Sequence, residues 1–121
     1  MNTPKSLAGE NLVKAAVSSL QEIKAERITT IDLTAVDGPT DWFIICEGDN
    51  TSHTRAIAEN LTADLKQQHT RPWHQEGVED GRWVLTDYTD VVVHIMLPEL
   101  REYYNLESLW KEGITTEYTS E

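Results

Sequence analysis

Apolar residues recur at helical spacing in two parts of the chain. In the first part they are Leu12, Ala16, Leu20 and Ile23. A residue every three or four positions forms one face of an amphipathic helix. We therefore predict a helix over residues 4–25, with Thr3 as its cap and Pro4 at its first position.

The second helical pattern consists of Ile57, Leu61 and Leu65. Asn50, Thr51 or Ser52 can cap this helix, because their side chains accept hydrogen bonds from free backbone N–H groups. The helix is expected to end near His69, before Pro72.

Between and after these helices, the pattern predicts strands. Residues 28–34 alternate and predict a half-buried strand, whereas residues 41–48 and 91–97 are continuously apolar and predict central strands. Residues 73–76 and 82–88 predict two shorter strands.

The C-terminal part of the chain predicts short helices and then a loose end. Residues 99–110 indicate two helical pieces around Asn105, and residues 113–121 are polar and are expected to be flexible. The order α-β-β-α-β-β-β-α predicts an α/β (α+β mixed) fold, a single mixed β-sheet of about five strands flanked by helices. We expect one domain over residues 1–112, followed by the tail.

Charge narrows the possible partners. The chain has 121 residues, with 10 Lys and Arg against 21 Asp and Glu, a net charge of −11. Such a charge repels a phosphate backbone, so nucleic acid is not expected as the main contact. It attracts a basic protein surface, although acidity can also serve solubility alone.

Cysteine usage and hydropathy predict the compartment. The one cysteine, Cys46, lies in an apolar run and is expected to be a buried free thiol in a reducing environment. The N-terminus has no apolar signal core, and no apolar run approaches the roughly 20 residues that cross a membrane. We expect a cytoplasmic protein without a membrane segment.

No motif predicts a metal, a cofactor or catalysis. His74 and Glu76 match the His-x-Glu of zinc deaminases, but the Pro-Cys-x-x-Cys element of those sites is missing. Residues 48–52 precede a helix without a phosphate-binding glycine motif. Glu47 and Asp49 beside the helix start would repel a phosphate, which favours an ordinary capped turn. Asp87 and Asp90 are expected in a turn between strands, as solvated acids rather than a catalytic pair.

Aromatic and acidic residues crowd the second half of the chain, as in many protein interfaces. Along its strand, Trp83 shares one side with Leu85 and Asp87, whereas Tyr88 lies on the other side. His94 lies either as a structural group on its apolar strand or at the edge of a binding face, paired with Asp87 or Asp90.

Five segments together resemble the ribosomal silencing factor (Iojap) family. Residues 41–48 are similar to the family's Asp-Tyr-Phe-Val-Ile-Cys-Ser-Gly block, and residues 55–58 match its helix signature. The most specific stretch is Glu76-Gly77 followed by residues 83–94, and residues 98–110 complete the pattern. The resemblance spans residues 7–111. Trp42, Glu47 and Thr89 depart from the family's usual residues.

The resemblance implies a fold and a function. The fold would have a nucleotidyltransferase-like topology without that family's catalytic residues. The function would be to bind large-subunit ribosomal protein fourteen, a basic protein, and so to block docking of the small subunit when nutrients are scarce. Organellar relatives assist assembly of the large subunit.

On this basis we predict a partner-binding face rather than an active site. Its residues would be Glu76, Trp83, Asp87, Tyr88, Asp90 and His94. Trp83 and Tyr88 would anchor the partner, although a regular strand exposes at most one of them. The alternatives are a nucleotidyltransferase-like enzyme and a general acidic adaptor; a homodimer of the free protein is also possible.

Overall fold

The computed structural model describes residues 6–118, which form four helices and six strands. The predicted cap Thr3 and helix start Pro4 lie outside this range. The elements are α1 Gly9–Glu22, β1 Glu26–Asp32, β2 Trp42–Glu47, α2 Thr51–Gln67, β3 His74–Glu76, β4 Trp83–Asp87, β5 Val91–Met96, α3 Pro98–Tyr104, α4 Leu106–Leu109 and β6 Ile114–Tyr118.

Helix α1 begins later than the sequence pattern predicts. Residues 6–8 are not helical. Gly9 has a φ of +55°, which is outside the range of a right-handed helix and is readily adopted by glycine. Two tertiary contacts hold this segment. The Leu7 N–H donates to Thr70 Oγ1, and the Gly9 N–H donates to Asp90 Oδ2, each at 2.7 Å.

The strands form one mixed sheet in the order β3-β4-β5-β2-β1-β6. Strands β2 and β5 pair in parallel at its centre, and the other neighbours are antiparallel. This confirms the prediction that the two continuously apolar strands are central. Helix α2 is part of the connection between them, as a parallel pair requires a crossover.

Helices α1 and α2 cover one face of the sheet. The main core joins their apolar stripes to Ile44, Cys46, Val84, Val93 and Ile95. These residues alternate along their strands with residues of the opposite face, so the predicted facing of β4 is confirmed. Asn50 is the cap of α2, since its side chain accepts from the His53 N–H at 2.9 Å.

Strand β6 differs from the expected loose tail. Ile114–Tyr118 pairs antiparallel with β1 over its length and makes a sixth strand. Four of its five side chains are exposed, so the sequence carries no burial pattern that would predict it. The pairing instead satisfies backbone groups along the edge of β1. Residues 119–121 lie outside the described range.

Candidate partner-binding surface

The second face of the sheet is covered only in part. Above β1, β2 and the end of β5, the C-terminal segment places Leu100, Leu106 and Trp110 against Ile31, Ile45 and Met96. Around β3, β4 and β5, next to Phe43 of β2, the described chain leaves two open pockets, and α3 reaches this area through Tyr104, which packs on Trp83. We call this uncovered area the open face and define it by Phe43, Trp73, Trp83, Leu85, Val92 and His94, with Glu76 and Asp87 at its rim.

The open face is a groove in two connected parts. One part is lined by Phe43, Trp73, Leu85, Val92 and His94, next to the loop residues Pro39 and Thr40. The other is lined by Glu76, Gly77, Trp83 and Leu85, so Leu85 joins the two. Trp73 is 73% exposed, which is unusual for so large an apolar side chain. The arrangement suits apolar side chains of a partner.

Trp83 is oriented by two neighbours. Its indole Nε1–H donates to His94 Nδ1 at 3.0 Å, and the Tyr104 ring lies on it with centroids 4.9 Å apart. Gly77 permits the backbone approach beside it, since a Cβ at this φ of +85° would lie 2.0 Å from the Trp83 carbonyl oxygen. The indole is therefore held at the surface in a defined orientation, half-buried.

His94 is a buried structural partner of Trp83. It pairs with neither Asp87 nor Asp90, so the pairing considered from the sequence is wrong. Burial lowers the pKa of His94 to about 4. Because the indole N–H can only donate, Nδ1 must accept, and the neutral ring carries its proton on Nε2. Nε2 has no hydrogen-bond partner in the described chain.

The two aspartates next to the β4–β5 turn accept hydrogen bonds from different parts of the chain. Asp87 Oδ1 accepts the Thr89 N–H at 2.7 Å and borders the groove. The Asp90 carboxylate accepts the Gly9 N–H at the start of α1, where the helix dipole favours an anion. Asp90 is thus engaged in holding α1, and the structure does not bring it to the open face.

Tyr88 is not a surface anchor in this structure. Its side chain is 7% exposed and belongs to the core beneath the helices. Burial raises the pKa of its phenol. The prediction that Trp83 and Tyr88 face opposite sides is confirmed, and the hypothesis that Tyr88 is presented to a partner is corrected, because strand alternation turns it inward.

Glu76 lines one part of the groove and contacts His74, which lies outside the groove lining. His74 Nε2 and Glu76 Oε2 are 2.7 Å apart, and both side chains are about half or more exposed.

Among the described residues, no three His, Cys, Asp or Glu side chains gather where they could hold a metal ion. The Cys46 thiol is fully buried, which raises its pKa to about 12.

Sequence reasoning left out several residues of this surface. Phe43, Leu85 and Val92 line the groove, and Tyr104 covers Trp83 from α3. Alternation places Phe43 and Val92 opposite the helix-covered side of their strands, but both strands look apolar throughout. The pattern does not tell which apolar face remains uncovered.

The helices that the structure describes include none with the length and hydropathy of a membrane span.

Comparisons with known proteins show which family this chain resembles. The family model described as "Ribosomal silencing factor during starvation" matches residues 6–121. A ribosomal silencing factor of Halalkalibacterium halodurans is 35% identical over 92% of this chain and 95% of its own length. That of Bacillus subtilis is 34% identical over 86% of this chain and 88% of its own.

More distant relatives and solved structures extend this comparison. A mouse protein named "Mitochondrial assembly of ribosomal large subunit protein 1" is 36% identical over 78% of this chain and 42% of its own length. A crystal structure from Chromobacterium violaceum, 34% identical, superposes with a TM-score of 0.83 over 87% of this chain and 88% of that one. With the family model matching almost the whole sequence, the chain belongs to the ribosomal silencing factor family.

Proposed function

We propose that this protein binds the large ribosomal subunit through its open face and sterically blocks joining of the small subunit. The partner would be basic ribosomal protein fourteen, and the result would be lower translation under nutrient limitation, in the cytoplasm. The observation that carries the proposal is the uncovered apolar groove with Trp83 held at its surface.

The physical chemistry of the groove suits such a partner. Aromatic residues in a desolvated groove supply most of the affinity in typical interfaces. Glu76 and Asp87 border it, and the net charge of −11 favours approach of a basic protein. An interface of about 800 Å² per partner would occupy about a ninth of the 7227 Å² surface.

The proposed mechanism needs bulk at a defined place and no catalytic group. A protein bound where the small subunit docks excludes it by volume alone, so we propose a non-enzymatic factor without a cofactor. A second candidate, assistance in large-subunit assembly, is favoured by the mouse relative's name. Both functions would use the same binding face.

Co-sedimentation with separated ribosomal subunits tests the proposal. We expect the wild-type protein to bind the large subunit alone. Trp83→Ala removes a side chain of hot-spot type, so affinity should fall by about thirtyfold, equivalent to about 2 kcal/mol. Trp83→Phe keeps an aromatic ring but loses the hydrogen bond to His94. Its affinity should lie between those of the wild type and of Trp83→Ala.

Two matched variants test whether binding depends on the acids of the open face or only on the net charge of the protein. Glu76→Gln removes an acid at the rim and should weaken binding, whereas Glu59→Gln removes an exposed acid of α2, on the other side of the sheet, and should not. Circular dichroism establishes that each variant is folded. A folded Trp83→Ala variant with wild-type affinity would rule out the open face as the binding site.

A further inference from the structure

The aromatic surface continues from the sheet onto α3. The Trp83 and Tyr104 rings are 4.9 Å apart, and Tyr103 meets Tyr104 edge-on at 5.0 Å. Tyr103 is 79% exposed and Tyr104 is 48% exposed. Tyr and Trp are enriched at protein interfaces because they give a large contact area with few rotatable bonds. Helix α3 therefore contributes to the same surface as Trp83.

Helices α3 and α4 cannot hold this position by themselves. They span seven and four residues, and Asn105 between them adopts a left-handed conformation with φ +44°. Isolated helices shorter than about 12–15 residues are marginal in water. Their placement on the sheet must come from tertiary contacts, which include the apolar contacts of Leu100, Leu106 and Trp110 and the Tyr104 ring on Trp83.

The polar contact that fixes them is Arg101, which is only 3% exposed. Its Nη2 lies 3.1 Å from Glu107 Oε2 of α4 and donates to Thr29 Oγ1 of β1 at 2.9 Å. Its Nη1 lies 3.4 Å from Glu47 Oε2 of β2 and donates to the Arg27 carbonyl oxygen. One guanidinium thus joins α3 to α4, β1 and β2.

A buried ion pair of this kind is a poor source of stability. The loss of hydration of the charges offsets much of their attraction, so apolar residues of similar volume often stabilise a core as well. The planar guanidinium does restrict orientation, because its donors are fixed relative to one another. The Arg101 network is therefore better suited to fixing the direction of α3 than to strengthening the core.

We infer that Arg101 is a positioning residue of the partner-binding surface: it fixes α3 so that Tyr104 packs on Trp83 and, with Tyr103, extends the surface that receives the partner. This inference rests on the proposed function. Arg101 itself touches no partner, because it is buried beneath α3. Its effect on binding passes through Tyr104.

The test is a double-mutant cycle on large-subunit affinity. The first change is Arg101→Met with Glu107→Gln, which removes one positive and one negative charge. Glu47 keeps its contact with Arg27 at 2.8 Å. The second change is Tyr104→Ala. We expect each to weaken binding by about tenfold and their combination also by about tenfold, because they act through one contact. Glu107→Gln alone keeps the guanidinium and should bind like the wild type.

A spectroscopic measurement reports the positioning without the ribosome. The near-ultraviolet circular dichroism of the Trp83–Tyr104 pair should be lost in the Arg101→Met/Glu107→Gln variant and in Tyr104→Ala, with the far-ultraviolet spectrum kept. If the combined change multiplies to about a hundredfold, or the folded Arg101 variant binds like the wild type, the inference is wrong and Arg101 is only structural.

If the Arg101→Met/Glu107→Gln variant does not fold, Arg101→Lys is used in its place, since it keeps the charge but loses the planar fork. For Arg101→Lys, as for the first variant, non-additive weakening with Tyr104→Ala supports the inference, and wild-type binding or additive weakening contradicts it. Absence of wild-type binding to the large subunit would refute the proposed function itself, a result distinct from the failure of the Arg101 variants alone.

Discussion

At the scale of single residues, the Trp83–His94 hydrogen bond joins β4 to β5 at the open face. The indole N–H has one acceptor, and that acceptor is a ring nitrogen that must stay unprotonated. Phe43 packs on the same imidazole with ring centroids 5.2 Å apart, and Leu85 and Ile45 flank it from the neighbouring strands. No acid pairs with it in the described chain, so burial favours its neutral form.

This environment makes stability depend on pH. The unfolded protein binds a proton on His94 at a pKa near 6.5, whereas the folded protein binds it only at about 4. Between these values the unfolded state holds more protons, so stability decreases as pH falls from 6.5 to 4. We expect His94 to account for a loss of up to about 3 kcal/mol over this window.

Denaturant unfolding of the wild type and of His94→Asn measures this loss. The amide oxygen of the variant can accept the Trp83 N–H in place of Nδ1 but does not titrate. The stability difference between the two proteins should shrink as pH falls from 6.5 to 4, because only the wild type incurs the penalty. A difference that stays constant over that range would contradict the assignment of a buried neutral His94.

At the scale of elements, the strands differ in how they are held. Strand β5 is buried along its whole length, whereas β6 is an edge strand with exposed side chains that pairs only with β1. Backbone hydrogen bonds in exposed elements with few apolar contacts open locally at low free energy. Apart from Tyr118, which packs against the main core, strand β6 is held by its pairing with β1 rather than by burial.

Amide hydrogen exchange distinguishes these strands. The amides of β6 that bond to β1 should exchange at least about a hundredfold faster than those of β5, because local opening exposes them without unfolding the core. The β1 amides that bond to β2 serve as an internal control and should stay protected. Equal protection of β6 and β5 would mean that β6 is part of the cooperative core.

At the scale of the whole molecule, charge and shape act together. A net charge of −11 attracts a basic protein and repels ribosomal RNA. The open face combines an apolar groove with acidic rim residues. The proposed complex therefore depends on a local attraction that exceeds a general repulsion.

The salt dependence of association separates attraction by the basic protein from repulsion by ribosomal RNA. Raising ionic strength from about 0.1 M to about 1 M shortens the screening length from about 10 Å to about 3 Å. With isolated ribosomal protein fourteen, the association rate should fall by about tenfold or more, while dissociation changes little. With the intact subunit the fall should be smaller, because salt also screens repulsion by RNA. Faster association with the isolated protein at high salt would contradict electrostatic attraction.

Much of the fold followed from local patterns in the sequence. The helical spacing of Leu12 to Leu20 and the uninterrupted apolar run of Ile44 to Cys46 each reflect one dominant force, burial of side chains against a core. Family motifs, whose order along the chain is specific, indicated the family itself. The facing of Trp83 against Tyr88 followed from the two-residue period of a strand.

The tertiary structure alone decided which apolar face stays uncovered and what each polar group contacts. The family motif and its aromatic neighbours place Asp90 on the predicted binding face, yet its carboxylate accepts the Gly9 N–H at the start of α1, 81 residues away along the chain. Strand β6 forms because β1 has a free edge. Arg101 is buried where Glu47 and Thr29, both distant in sequence, meet it together with the nearby Glu107. Sequence periodicity specifies the direction of a side chain, but its partners depend on how distant segments meet in space.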